Sequence, residues 1–237
     1  MKNRPALHSL PKPVSEPLSI DEFREIAEVS TGKCILLIRH AKRPPIEKND
    51  ASFGENLGLT ESGSRLAQDC GNRLKGLENC SFHASPMRRT RETARLIAQG
   101  MNFPDCPVVD APEAGIPGLW VLDQKVTHRH YEEEGSAAFT DRYLHTGCAE
   151  GYRPITEGTR LMSDWLTTHD FGARCSIITS HDIFIASFLQ GLGVRPFDST
   201  QWVGFLQGAA LIQDANGLWS AHYCVPNKQN FANTFFQ

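Results

Sequence analysis

One short stretch leaves this chain little choice of fold. Cys34-Ile-Leu-Leu-Ile38 is an unbroken apolar run closed by Arg39-His40, with Lys42, Arg43 and the proline pair Pro44-Pro45 just beyond. A run this short and this apolar reads as a strand buried on both faces, which requires helices on each side of a sheet. In open α/β sheets ligands bind outside the carboxyl ends of the strands, so the charged dyad is placed to meet a substrate. Pro44 and Pro45 prevent a helix from following and hold the next residues extended.

The flanking sequence alternates strand and helix signals. Residues 1–18 carry Pro5, Pro11, Pro13 and Pro17 without apolar periodicity and read as a mobile leader. Ser19-Ile-Asp-Glu22 is a capping box that opens a helix through about Glu28, with Gly32 as its stop. Residues 43–58 form a polar loop, longer than usual connections, and Thr60 caps a helix with Leu66, Cys70, Leu74 and Leu77 on its inner face. Cys80–Ala84 is the second strand. Arg88, Arg89 and Arg91 then open a helix that turns Ala94, Ile97, Ala98 and Met101 inward. Val108 and Val109 begin a third strand ending at Glu113, and 114–156 is an irregular insertion expected to cover the site. A helix over 157–168, a strand over Cys175–Thr179 and a helix with Ile183, Ala186 and Leu189 on one side follow. The tail reads as strand runs from Val203 to Ile212 and from Trp219 to Val225 around the hairpin signal Asn216-Gly217, with Trp202 and Phe205 as core aromatics. The expected fold is a three-layer α/β/α sandwich. Its sheet is mainly parallel with an antiparallel strand, and it forms a single domain over 19–237.

Arg39-His40-Ala41-Lys42-Arg43-Pro44-Pro45 resembles the signature of the histidine phosphatase superfamily, whose fold is that of phosphoglycerate mutase. In its fuller form the stretch is closest to the acid-phosphatase and phytase branch, with Ala41 where that family has glycine. Gly58-Leu-Thr-Glu-Ser-Gly63 resembles the superfamily's Leu-Thr-x-x-Gly segment. Ser85-Pro-Met-Arg-Arg-Thr-Arg-Glu-Thr-Ala94 is similar to its second arginine motif and aligns Arg89 with the second phosphate-binding arginine. His181-Asp182 resembles the His-Asp pair of the acid-phosphatase branch, in which the aspartate is the proton donor. The other branch takes its acid from a glutamate after the third strand, for which Glu113 is the nearest match.

These residue types suit phosphoryl transfer, which needs a nucleophile, cations for the equatorial oxygens and a proton for the leaving group. A neutral imidazole at His40 supplies the nucleophile. Guanidinium forks at Arg39, Arg43 and Arg89 match phosphoryl oxygens, and His181 closes the cradle. Asp182 is the expected acid and Glu113 the alternative; Arg88 and Arg91 are read as surface residues. The implied activity is metal-independent hydrolysis of a small phosphomonoester through a phosphohistidine on His40, with no cofactor. Alternatives are a phosphoglycerate-mutase-like phosphotransferase and a catalytically silent phosphate-binding module. His128, His130, His145 and Glu132-Glu-Glu134 lack the spacing of a zinc site and read as surface of the insertion.

Composition narrows the partners. A net charge of -3 gives no basic field for nucleic acid, and no stretch is long and apolar enough to span a membrane. The first thirty residues lack a signal-peptide core, and seven cysteines without a C-x-x-C pair fit a reducing, cytoplasmic setting.

Overall fold

The computed structural model of the protein describes residues 9–47 and 54–228. Its strands are β1 (Lys12–Ser19), β2 (Cys34–Arg39), β3 (Cys80–Ala84), β4 (Val108–Asp110), β5 (Cys175–Ser180), β6 (Gly208–Gln213) and β7 (Trp219–Val225). They form one sheet in the order β1-β7-β6-β2-β5-β3-β4. Only β6 runs against its neighbours, being antiparallel to both β2 and β7, and the other pairings are parallel. The helices are α1 (Ile20–Val29), α2 (Glu61–Arg73), α3 (Arg88–Gly100), α4 (Gln124–Glu133), α5 (Ser136–Thr146), α6 (Ile155–Thr168) and α7 (Asp182–Gly191).

The apolar run Cys34–Ile38 divides its side chains between two cores, as a central strand must. Ile35 and Leu37 join a core with Phe184, Phe188 and Met162 of α7 and α6. Cys34, Leu36 and Ile38 join a second core with Phe23, Ala67 and Ile97 of α1, α2 and α3. The three-layer α/β/α sandwich expected from the sequence is therefore the observed fold. Among the described residues no helix is long and apolar enough to cross a membrane.

Local signals hold where the chemistry is local. Ser19 and Glu22 form the reciprocal capping box of α1, and Thr60 Oγ1 accepts from the Gly63 N–H at the start of α2. Gly217 takes a positive φ of 81° in the turn between β6 and β7, as the hairpin signal requires.

Five expectations need correction. The leader does not extend to residue 18: Lys12–Ser19 is an edge strand paired with β7, and residues 1–8 lie outside the described ones. An edge strand bonds on one side only, which is why it tolerates Pro13 and Pro17. Leu66 is 48% exposed, whereas Cys70, Leu74 and Leu77 are buried as expected, and Gly63, Ala67 and Gly71 complete the inner face of α2. That face is small because α3 lies against it: a Cβ on Gly71 would come within 2.2 Å of the Ile97 carbonyl oxygen. The third strand stops at Asp110, and Pro112 starts a single 3₁₀ turn, Pro112–Ala114, that carries Glu113. The helix after His181 is buried all round rather than on one side, because α5 and α6 cover the face turned from the sheet. Finally, β6 begins only at Gly208, and residues 201–207 are a loop in which Leu206 has a φ of 60°.

Within the span 114–156 the structure places α4 and α5, and α6 starts at Ile155, two residues before the expected boundary. Of the polar loop 43–58, residues 48–53 lie outside the described part.

Candidate active site

Three neighbouring parallel strands end together. Arg39 of β2 is in register with Ser180 of β5, and Thr179 of β5 with Ala84 of β3, so His40, His181 and Ser85 emerge side by side. The His40 N–H continues the ladder to the Ser180 carbonyl at 3.0 Å, and the Ser85 N–H reaches the Thr179 carbonyl at 3.0 Å. The imidazoles of His40 and His181 meet edge to face with centroids 5.7 Å apart. This is the crevice beyond the strand ends in which α/β sheets bind ligands.

His40 is buried, and its Nδ1 lies 2.8 Å from the Ala41 carbonyl oxygen. A carbonyl can only accept, so Nδ1 carries the hydrogen and the lone pair of the neutral ring is on Nε2. Burial, followed by the charges of Arg39, His181 and Arg89, pushes the His40 pKa well below its ordinary value. The ring is therefore neutral at pH 7. Ala41, where the family has glycine, puts its side chain into the core beneath the site, and its N–H donates to Thr93 Oγ1 at 3.0 Å. Thr93 donates in turn to the Arg89 carbonyl at 2.7 Å, which couples the His40 turn to α3.

His181 is the N-cap of α7, and its Nε2 lies 2.8 Å from Ser85 Oγ. Burial first, then the Arg89 charge, lowers its pKa to about 3. Ser85 also meets Thr90 Oγ1 at 3.1 Å, and Thr90 donates to the Ser85 and Met87 carbonyls at 2.6 and 2.7 Å. Thr90, which replaces the family's alanine, thus stiffens the turn that leads into α3.

The three arginines of the expected cradle converge here. Arg39 Nη1 donates to the Val203 carbonyl at 2.7 Å, Arg43 Nη1 to the Pro44 carbonyl at 2.7 Å, and Arg89 Nη1 to the Gly54 carbonyl at 2.7 Å. In all three the Nε is buried without a hydrogen-bond partner among the described residues. Such orphaned donors are rare in folded proteins, and three in one place mark a site built for an acceptor-rich ligand. Burial, with Arg43 next in weight, lowers the Arg89 pKa to about 10, still leaving it charged at neutral pH. Arg88 and Arg91, by contrast, pair on the surface with Glu92 and Asp110.

Asp182 opens α7 and is gripped from three sides. Its Oδ2 accepts from Arg39 Nη2 at 2.7 Å and from Trp202 Nε1 at 3.1 Å, and Oδ1 accepts from the Ile183 N–H at 2.9 Å. Burial alone raises its pKa, but Arg39, His40 and these donors outweigh that and hold the carboxyl below the ordinary range. Glu113 sits on the flank: the Ala114 carbonyl of its turn accepts from Ser180 Oγ at 2.7 Å, and Gly115 packs against Ser85.

Sequence reasoning missed four contributors. Ser85 and Thr93 stand in the second arginine motif, which assigns them no role of their own, yet one contacts His181 and the other holds the His40 turn. Trp202 and Phe205, taken for core, are half-buried at the site, with the Arg39 guanidinium 4.3 Å from the centre of the Phe205 ring. No local pattern announces them, since they reach Arg39 from far along the chain. The histidines of the insertion do not join the site: His128 faces Glu132 at 3.4 Å and His130 faces Glu134 at 3.1 Å, while His145 is exposed.

Comparison with known proteins agrees with this geometry. Over 71 residues the chain is 37% identical to the 2,3-bisphosphoglycerate-dependent phosphoglycerate mutase of Thermoplasma acidophilum, a match that spans 30% of this chain and 36% of that protein. The phosphoglycerate mutase structure from Bacillus anthracis str. Sterne shares the fold at a TM-score of 0.56 with 14% identity, covering 86% of this chain and 97% of that one. A mycobacterial glucosyl-3-phosphoglycerate phosphatase does so at a TM-score of 0.51 with 14% identity, covering 81% and 98%. The matching family is branch 1, so the likeness of the His40 and His181 motifs to the acid-phosphatase and phytase branch is not confirmed. With that family's pattern running through residues 35–205, across the strands, arginines and histidines of the site, the chain belongs to the histidine phosphatase superfamily, branch 1.

Proposed function

We propose that the chain hydrolyses a small phosphomonoester through a phosphohistidine on His40. The observation that carries this is the set of three buried guanidinium Nε donors, on Arg39, Arg43 and Arg89, left without acceptors among the described residues around a neutral imidazole. In the first step His40 Nε2 attacks phosphorus, the P–O bond to the leaving group breaks, and a carboxyl group protonates the departing oxygen. In the second step water attacks the phosphohistidine, the same carboxylate takes its proton, and His40 and inorganic phosphate are released. The guanidiniums stabilise the charge on the equatorial oxygens throughout.

For the proton donor we favour Glu113 over Asp182. A donor must carry its proton at working pH, and Asp182 is held ionised by Arg39, Trp202 and the Ile183 amide. Glu113 occupies a turn beside Ser85 and Ser180, and among the described residues no arginine, indole or backbone N–H grips its carboxylate.

A second reading is a phosphoglycerate-mutase-like transfer of the phosphoryl group to another hydroxyl, favoured by the mutase relative. Charge balance supports hydrolysis of a singly phosphorylated substrate. Three guanidiniums against the Asp182 carboxylate leave two positive charges, the match for one phosphoryl dianion. A bisphosphoglycerate brings a further phosphate and a carboxylate. In the insertion Arg129, Arg142 and Arg153 are already paired with Glu150, Glu134 and Glu157. The odd count of seven cysteines fits a reducing compartment, and the proposal is for a cytoplasmic enzyme.

Rapid acid-sensitive trapping of labelled enzyme tests the proposal. Wild-type protein is expected to accumulate an acid-labile phosphoryl label from p-nitrophenyl phosphate, and His40→Ala to show neither label nor turnover. Undiminished labelling in His40→Ala overturns the nucleophile, and product that appears on added phosphoglycerate instead of water favours the mutase reading.

A further inference from the structure

The loop 201–207 holds the end of β2 more closely than a connection to β6 requires. Leu206 donates its N–H to the Arg39 carbonyl at 3.1 Å, and Arg39 donates its own to the Gln207 carbonyl at 2.9 Å. Leu206 does this in the positive-φ region, at 60°, which leucine seldom adopts unless its surroundings enforce it. Within the loop Gln207 Oε1 accepts from the Gly204 N–H at 2.8 Å and from the Tyr223 hydroxyl. Just upstream, Asp141 of α5 accepts from both the N–H and the hydroxyl of Ser199, each at 2.5 Å. The loop is thus anchored to β7 at one end and to α5 at the other.

What this strap presents to the site is a seat for one guanidinium. The Val203 carbonyl takes Arg39 Nη1 at 2.7 Å, and the Phe205 ring lies against its face at 4.3 Å. The Trp202 indole N–H reaches the Asp182 oxygen that takes Arg39 Nη2, at 3.1 and 2.7 Å respectively. With both terminal nitrogens engaged, the Nε of Arg39 is the nitrogen left without an acceptor among the described residues. We propose that Trp202 is a positioning residue of the phosphoryl site: its N–H fixes the Asp182 carboxylate as the standing counter-ion of Arg39, so that the guanidinium presents its Nε–H to the phosphoryl group beside His40. This rests on the phosphoryl-transfer reading above. The gain is pre-organisation, because a guanidinium already seated loses little freedom when phosphate binds. Asp182 then serves as a fixed charge rather than as the proton donor, and the buried arginines are partly neutralised before substrate arrives.

A double-mutant cycle tests the proposal on the full chain. Trp202→Phe removes the N–H and keeps an aromatic ring. It is expected to weaken inorganic phosphate binding in calorimetry about tenfold, and to lower kcat/KM for p-nitrophenyl phosphate similarly, the scale of a hydrogen bond to a charged group. In an Arg39→Ala background the same substitution should change either quantity by no more than about twofold, because its effect passes through Arg39. Trp202→His, a smaller ring that keeps an N–H, is expected to recover most of the loss, and urea unfolding checks that each variant is folded. Losses that add in the double variant, a Trp202→Phe chain that binds phosphate like the wild type, or a Trp202→His loss as deep as that of Trp202→Phe each overturn the proposal. A wild-type chain that binds phosphate but turns over no phosphomonoester overturns the hydrolase reading instead, and the binding cycle still decides the role of Trp202.

Discussion

At His40 one hydrogen bond selects the reactive atom. The Ala41 carbonyl claims Nδ1, and burial keeps the ring neutral, so the lone pair is on Nε2, the nitrogen proposed as nucleophile, before any substrate is present. The carboxylates are sorted by the same kind of local accounting. Asp182 has an arginine, an indole N–H and a backbone N–H on its two oxygens, an environment that favours the anion. Glu113 therefore becomes the expected acid, and leaving-group chemistry separates the two. An alkoxide needs a proton as it departs, whereas nitrophenolate does not. Glu113→Gln is expected to slow alkyl phosphate hydrolysis by roughly 10²–10⁴-fold, the range for general acid catalysis. The burst of nitrophenol from p-nitrophenyl phosphate should change far less. If Asp182→Asn shows that selective loss and Glu113→Gln does not, the acid is Asp182 and its reading as a fixed counter-ion fails with it.

The elements that carry these residues are set by close approaches as much as by apolar stripes. The helices α2 and α3 meet through glycine: besides Gly71 against Ile97, a Cβ on Gly100 would lie 2.3 Å from the Gln68 carbonyl oxygen. This contact lies at the C-terminal end of α3, the helix that opens with Arg88 and Arg89, and Gly71→Ala should force the pair apart. A loss of roughly 1–3 kcal/mol in urea unfolding is expected, typical of overpacking in a close-packed contact. Leu66→Ala, on the exposed face of the same helix, should cost about 0.5 kcal/mol or less. Equal losses at the two positions would mean that the apolar spacing, not the helix contact, describes how α2 packs. The edge strand β1 and the strap 201–207 teach the same lesson, since both owe their conformation to the strands they lie against rather than to their own residues.

Across the whole molecule the buried site carries a cost that depends on pH. The unfolded chain protonates histidine near 6.5, whereas folded His181 does so only at about 3 and folded His40 is lowered well below its ordinary value. Below 6.5 the unfolded state binds more protons, so stability falls as pH falls from 6.5 towards 3. Between pH 7 and 5.5 each of these two histidines should remove about 1 kcal/mol from the unfolding free energy. Replacing both by alanine is expected to flatten that slope by about 2 kcal/mol over the same range. Urea denaturation at the two pH values checks it, and an unchanged slope would show that the two rings are not buried neutral. By itself the sequence determined the apolar strand that ends in Arg39-His40, the caps at Ser19 and Thr60, the hairpin turn at Gly217 and the placing of Arg89 in the first turn of α3. Each of these depends on a few neighbouring residues, because strand termini, caps and turns are satisfied within their own segment. Only the tertiary structure decided that residues 12–19 are a strand, that Trp202 and Phe205 belong to the site, and that Asp182 is held as the partner of Arg39. Those outcomes rest on groups such as Val203, 164 residues from the Arg39 it holds, and on a burial that exists only once the chain has closed around them.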